Sequence, residues 1–144
     1  MNQSKRNDKV SRDRLRLLLD PYDSLQHLEC DGLTQVFHRV LSDQKIQHTV
    51  YVGEVTHKSS DRTIPLHFWI EVGDLRVDYR LRMWLGETSD IPHGVFYKDA
   101  EKRVSYLGES VDLPLLPLAI VQILVQPFDP VIDISGRSQV NSYG

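Results

Sequence analysis

The stretch Leu66-His67-Phe68-Trp69-Ile70-Glu71-Val72-Gly73-Asp74-Leu75-Arg76-Val77-Asp78-Tyr79 holds two alternating runs around a Gly-Asp pair. Successive side chains on a strand point to opposite faces. Leu66, Phe68, Ile70 and Val72 therefore share one face, and His67, Trp69 and Glu71 the other. Gly73-Asp74 signals a two-residue hairpin loop. The return run sets Leu75, Val77, Tyr79 and Leu81 against Arg76, Asp78, Arg80 and Arg82. Such a loop fixes the register: Val72 opposes Leu75, Glu71 opposes Arg76, Ile70 opposes Val77 and Trp69 opposes Asp78. His67 and Asp78 become diagonal neighbours, roughly 7–8 Å apart along the backbone, a gap that side chains bridge. A one-residue slip would put the apolar set on the wrong face, so the register is not free.

Working outward, Leu33, Val36, Phe37, Val40 and Leu41 recur at i, i+3, i+4, i+7 and i+8, the mark of a helix with one buried face. Cys30, the only cysteine, continues that face at the N-terminal end, and Asp31 suits the first turn. Further upstream, Arg12 to Leu19 reads as a short helix ended by Asp20-Pro21. Residues 22 to 29 form a connector that buries Leu25 and Leu28. Ile46 to Val55 reads as a strand and His57 to Thr63 as a loop. Downstream, Gly86 to Gly94 is a loop holding Pro92-His93-Gly94. Val95 to Tyr97 and Val104 to Leu107 are short strands joined by a charged turn. Asp112, with Pro114 behind it, is a candidate cap for a closing helix to about Val125. Ile132 and Ile134 are candidate docking residues in the remainder.

The chain of 144 residues fits one domain, with a flexible tail over 1–11, the domain over 12–128 and a C-terminal tail over 129–144. Apolar content of 40%, charged content of 26% and a net charge of -3 fit a soluble globular protein. They give no reason to expect nucleic acid. The basic N-terminal stretch (Lys5, Arg6, Lys9, Arg12, Arg14, Arg16) has no interleaved aromatic residues and reads as a solvated face. No signal-like or membrane-length apolar run is present. A single cysteine excludes an internal disulfide and fits a reducing, cytoplasmic setting. His27, His38, His48, His57 and His93 show no metal-ligand spacing and read as surface or loop residues, so no metal or cofactor is expected.

Three residues carry chemistry together. A nucleophilic cysteine works as its thiolate, which a helix N-terminus favours. A histidine shuttles the proton, and a carboxylate fixes that histidine's tautomer. Cys30, His67 and Asp78 meet these needs as a catalytic constellation. Trp69 would shield the pair from water, the Cys30 N–H and the Gln26 side chain are candidate oxyanion donors, and His93 is a candidate substrate contact. Each residue also has an ordinary reading. Cys30 is then a small buried side chain, His67 a partly exposed strand residue, and Asp78 a partner of Arg80 or Arg76.

The order of these residues resembles the transglutaminase-like branch of the papain-like cysteine hydrolases. It is carried by Cys30 at a helix start, the strand Ile46 to Gly53, the run His67-Phe68-Trp69-Ile70-Glu71, and Asp78 on the next strand. The resemblance spans roughly residues 28 to 80. It implies an α+β fold, with the cysteine-bearing helix packed on an antiparallel sheet. It also implies thioester chemistry on Cys30, with His67 as base, Asp78 as orienter and a peptide or protein amide as substrate. Two rival expectations stand beside it. One is a non-catalytic binding module that keeps the fold. The other is an interaction protein whose basic N-terminal helix binds an acidic partner.

Overall fold

In the computed structural model, which describes residues 10–126, the Gly73-Asp74 hairpin forms as the alternation predicts. Gly73 takes φ 59°, a conformation that glycine adopts at little cost. The described chain is α+β: helices α1 (Arg12–Leu19), α2 (Cys30–Asp43), α3 (Leu81–Leu85) and α4 (Leu118–Leu124), with strands β1 (Thr49–His57), β2 (Arg62–Val72), β3 (Leu75–Asp78), β4 (Gly94–Tyr97) and β5 (Val104–Val111). A 3-10 turn over Asp20–Ser24 follows α1. The strands form one antiparallel sheet in the order β4-β3-β2-β1-β5. No described helix is long and apolar enough to cross a membrane.

The register is the expected one, with Ile70 opposite Val77, Glu71 opposite Arg76 and Val72 opposite Leu75. Phe68, Ile70, Val72, Leu75 and Val77 pack with Leu33, Val36, Phe37 and Leu41 of α2 and Leu15 and Leu19 of α1. Leu66 departs from its expected place and is exposed, beyond the reach of that core. Of the expected N-terminal tail, Val10 packs against the core and Ser11 caps α1 by accepting the Arg14 N–H at 3.1 Å. The rest of that tail, the C-terminal tail, Ile132 and Ile134 lie outside the described residues.

Four boundaries differ from the sequence reading, each for a local reason. The return strand stops at Asp78 and Leu81 opens α3, so Leu81 packs on the opposite side of the sheet from Val77. Residues 57–63 are no open loop: β1 runs to His57 and pairs with Arg62 across a tight turn. β4 and β5 lie at opposite edges of the sheet, and β5 continues to Val111 along β1. The last helix starts at Leu118 rather than after Asp112. Pro114 and Pro117 disfavour helical backbone at the residues preceding them, so the helix begins only after the second proline.

The face expected to be polar is also buried. Trp69 joins Val55, Leu81, Leu85, Ile91 and Val104 in a second core. Its indole lies 5.8 Å from the Tyr51 ring at 6° and meets Tyr106 edge-on at 4.8 Å. It fits because Gly108 has no side chain: a Cβ there would stand 2.7 Å from the indole and 2.5 Å from the Val52 carbonyl oxygen. Gly108→Ala is expected to cost about 1–3 kcal/mol, the usual range for overpacking, read as a lower urea midpoint.

Candidate active site

Asp78 and His67 come together as the register requires. The His67 Nε2–H donates to Asp78 Oδ2 at 2.8 Å, with both side chains almost wholly buried. Asp78 has two further donors that the hairpin pattern does not show. The Tyr106 hydroxyl donates to Oδ2 at 2.8 Å and the Arg80 backbone N–H to Oδ1 at 3.1 Å. The Arg80 and Arg76 guanidinium groups go elsewhere, so the ordinary ion-pair reading of Asp78 does not hold.

Tyr106 comes from β5, with β1 and β2 between it and β3. It reaches Asp78 because the sheet curls, which also brings its ring within 6.5 Å of Phe96 on the far edge strand. The Arg76 guanidinium covers the Tyr106 ring at 4.0 Å, a cation–π contact. Burial, then the charge and hydrogen bond of Asp78, push the Tyr106 hydroxyl well above its ordinary pKa, so it stays a donor. Tyr106→Phe keeps the ring and removes that bond. It is expected to cost about 1.5–3 kcal/mol, the range for hydrogen bonds to charged groups, measured by denaturant unfolding.

Cys30 is the first residue of α2 and is half-buried. The preceding residue, Glu29, makes no side-chain cap, and Asp31 accepts the Gly32 N–H at 2.8 Å. Cys30 borders a small cavity of about 10 Å³ together with Asp78, Tyr79 and Arg80, room for about one water. His67 Nδ1 is buried and has no partner in hydrogen-bond geometry. Burial is the largest single influence on His67 and pushes its pKa down. The charge and hydrogen bond of Asp78, with a smaller contribution from the nearby Cys30, outweigh it and raise the pKa to about 10. The imidazolium is thus the favoured form at neutral pH.

Arg80 explains how Cys30 is brought to this place. Expected on the site face, its side chain is instead buried beneath the segment leading into α2. Its Nε donates to the Leu28 carbonyl at 2.6 Å, Nη1 to Asp23 Oδ1 at 2.9 Å and the Tyr79 carbonyl at 2.8 Å, and Nη2 to the carbonyls of Asp23 and Leu25 at 3.1 and 2.9 Å. The Tyr79 hydroxyl adds a bond to Asp20, and His93 Nε2 contacts Asp23 Oδ2 at 2.9 Å. Burial pushes the Asp23 carboxyl up, but His93 and Arg80 outweigh it and hold it below the usual range. The residues just after Asp78 therefore grip the segment just before Cys30. Sequence reading misses this because Arg80 is one of three arginines in an alternating run, which together look like a polar face.

The remaining expected residues fall nearby. Trp69 is 2% exposed and its ring centre lies 6.4 Å from that of His67, so it forms a dry wall behind the histidine and offers no surface to a substrate. Gln26 donates to the Asp23 carbonyl at 2.9 Å. Gln26 and His93 border a neighbouring cavity of about 200 Å³, which shares Tyr79 and Arg80 with the Cys30 cavity. His57 is no surface residue: it is buried against Asp90 at 2.7 Å. His38 and His48 touch each other at 2.8 Å. Among the described residues no cluster of three or more His, Cys, Asp or Glu is placed to hold a metal ion. No family model, curated protein or solved structure matches the chain.

Proposed function

We propose that this protein is a cysteine-dependent amide hydrolase or acyltransferase, a protease, deamidase or transglutaminase-like enzyme acting on a peptide or protein amide. The observation that carries the reading is the buried Asp78–His67 pair, whose second ring nitrogen is unpartnered and which feels the charge of Cys30, the first residue of a helix. The Cys30 sulfur attacks the amide carbonyl carbon. The C–N bond then breaks as imidazolium His67 gives its proton to the leaving nitrogen, leaving a thioester. Water, or an amine in a transfer reaction, attacks that thioester while His67 takes its proton, and the thiolate leaves. Asp78, held by Tyr106 and the Arg80 backbone, keeps His67 oriented throughout. The first N–H groups of α2 would face the oxyanion, and the cavity of Gln26 and His93 would receive the adjoining part of the substrate. The α+β order supports a papain-like or transglutaminase-like core, and a lone cysteine nucleophile fits a reducing compartment such as the cytoplasm.

One observation favours a second reading, a peptide-binding module that keeps this fold without turnover. The Cys30 cavity, at about 10 Å³, leaves no room for an amide at the sulfur, whereas the neighbouring cavity of Gln26 and His93, at about 200 Å³, has room for a side chain of a bound peptide. An activity-based cysteine probe, followed by a screen of peptide and amide substrates, separates the two. Labelling and turnover by wild type, both lost in Cys30→Ser and His67→Ala, support the enzyme. Peptide binding that survives both substitutions with no turnover supports the module.

A further inference from the structure

Away from Cys30, two histidines meet under a constraint that ordinary protonation cannot satisfy. His48 Nδ1 lies 2.7 Å from the Ile46 carbonyl oxygen, and His38 Nε2 lies 2.9 Å from the Leu113 carbonyl oxygen. A carbonyl oxygen only accepts, so both of these nitrogens carry protons. In a neutral imidazole the other nitrogen is then a bare acceptor. Yet those two acceptors, His38 Nδ1 and His48 Nε2, face each other at 2.8 Å. Two lone pairs at that separation repel, and one added proton turns the contact into a charge-assisted hydrogen bond.

We propose that His38 and His48 hold one shared proton, and with it a unit positive charge, so that attachment of the segment after β5 to α2 depends on pH. His38 stands on α2, His48 at the approach to β1, and Leu113 in the proline-rich stretch before α4. Removing the shared proton forces one ring to change tautomer and to give up its carbonyl, either Leu113 or Ile46. The neighbouring Arg39 is already committed, donating to the Leu116 carbonyl at 3.0 Å and to Asp43 at 3.0 Å. Both rings border a cavity of about 340 Å³ with Thr49, Ser110, Asp112 and Leu113, through which water exchanges protons with the pair. Asp112 is the other ionisable group on that cavity among the described residues. A second proton is opposed: burial outweighs the raising effect of the Ile46 carbonyl and, with the charge of His38, holds the His48 pKa below its ordinary value.

The signs on the two sides of neutrality follow. A shared first proton relieves the two facing lone pairs, so on this proposal its stabilisation is complete below the free-histidine value of about 6.5 and fades as the shared proton is lost on raising pH. The second is bound less tightly, so stability also declines as pH falls below about 6.5.

Long-range imidazole 15N spectra of the full chain, taken between about pH 6 and pH 9, test this across the range where histidine changes charge. The expected result at about pH 7 is three protonated nitrogens among the four of the pair, with one transition above the free-histidine value. The carbonyl resonance of Leu113 or Ile46 shifts in the same transition. In His48→Gln the side-chain amide N–H donates to Nδ1 of a neutral His38, which keeps its Nε2–H on the Leu113 carbonyl, and the transition is lost. Two neutral rings at about pH 7, or a transition that moves neither carbonyl, would overturn the proposal. The wild-type spectra decide the question alone if His48→Gln fails to fold.

Discussion

His67→Ala is expected to lower the proposed amide turnover by about 10²–10⁴-fold, the usual worth of a positioned acid–base group. On the proposed reading, alkylation of Cys30 by iodoacetamide near neutral pH should slow with it, because a reactive cysteine depends on its histidine partner. A Cys30 that reacts slowly in wild type, and equally fast without His67, would sink the catalytic reading. The raised His67 pKa adds a pH signature. A histidine whose folded pKa stands near 10 contributes stability that is complete below about 6.5 and is lost as pH rises through about 10. Urea midpoints of wild type should therefore fall across that window, and His67→Gln should flatten this decline.

Arg80→Met is expected to be the most damaging single change to the fold. It strands the Asp23 carboxylate and the carbonyls of Asp23, Leu25, Leu28 and Tyr79, which the guanidinium now satisfies. Each buried acceptor left without a donor costs about 1–3 kcal/mol, while the Asp23 carboxylate, a third exposed and still paired with His93, adds less. Arg80→Lys is not a rescue, since an ammonium has three donors and no planar fork. Equilibrium unfolding reads the loss. Because Arg80 also sets the approach to Cys30, any Arg80→Lys protein that folds should show slowed Cys30 alkylation. Unchanged stability in Arg80→Met would show that the segment before α2 holds its place without this anchor.

Much of this protein is legible in alternation and spacing alone. The period-2 runs around Gly73-Asp74 determined the hairpin and its register, since shifting a strand by one residue turns its apolar set to the wrong face. That register alone brought Asp78 to His67. The period-3.6 run from Leu33 to Leu41 determined α2 and put Cys30 at its start. These are local patterns, enforced by backbone geometry within a dozen or so residues. Tertiary structure decided the rest. Tyr106 reaches Asp78 because the sheet curls across two intervening strands, and no pattern within β5 announces that. Trp69 is a wall of a second core rather than a cover over the site, because Gly108 clears the space and Leu81 turns back in α3. Arg80 leaves the face its alternation assigned because the strand ends at Asp78 and five acceptors gather around it from residues 23–28 and 79. The pairing of His38 with His48 likewise depends on where α2 docks beside the approach to β1. Period and turn chemistry fix which face a side chain points to; only packing fixes what meets it there.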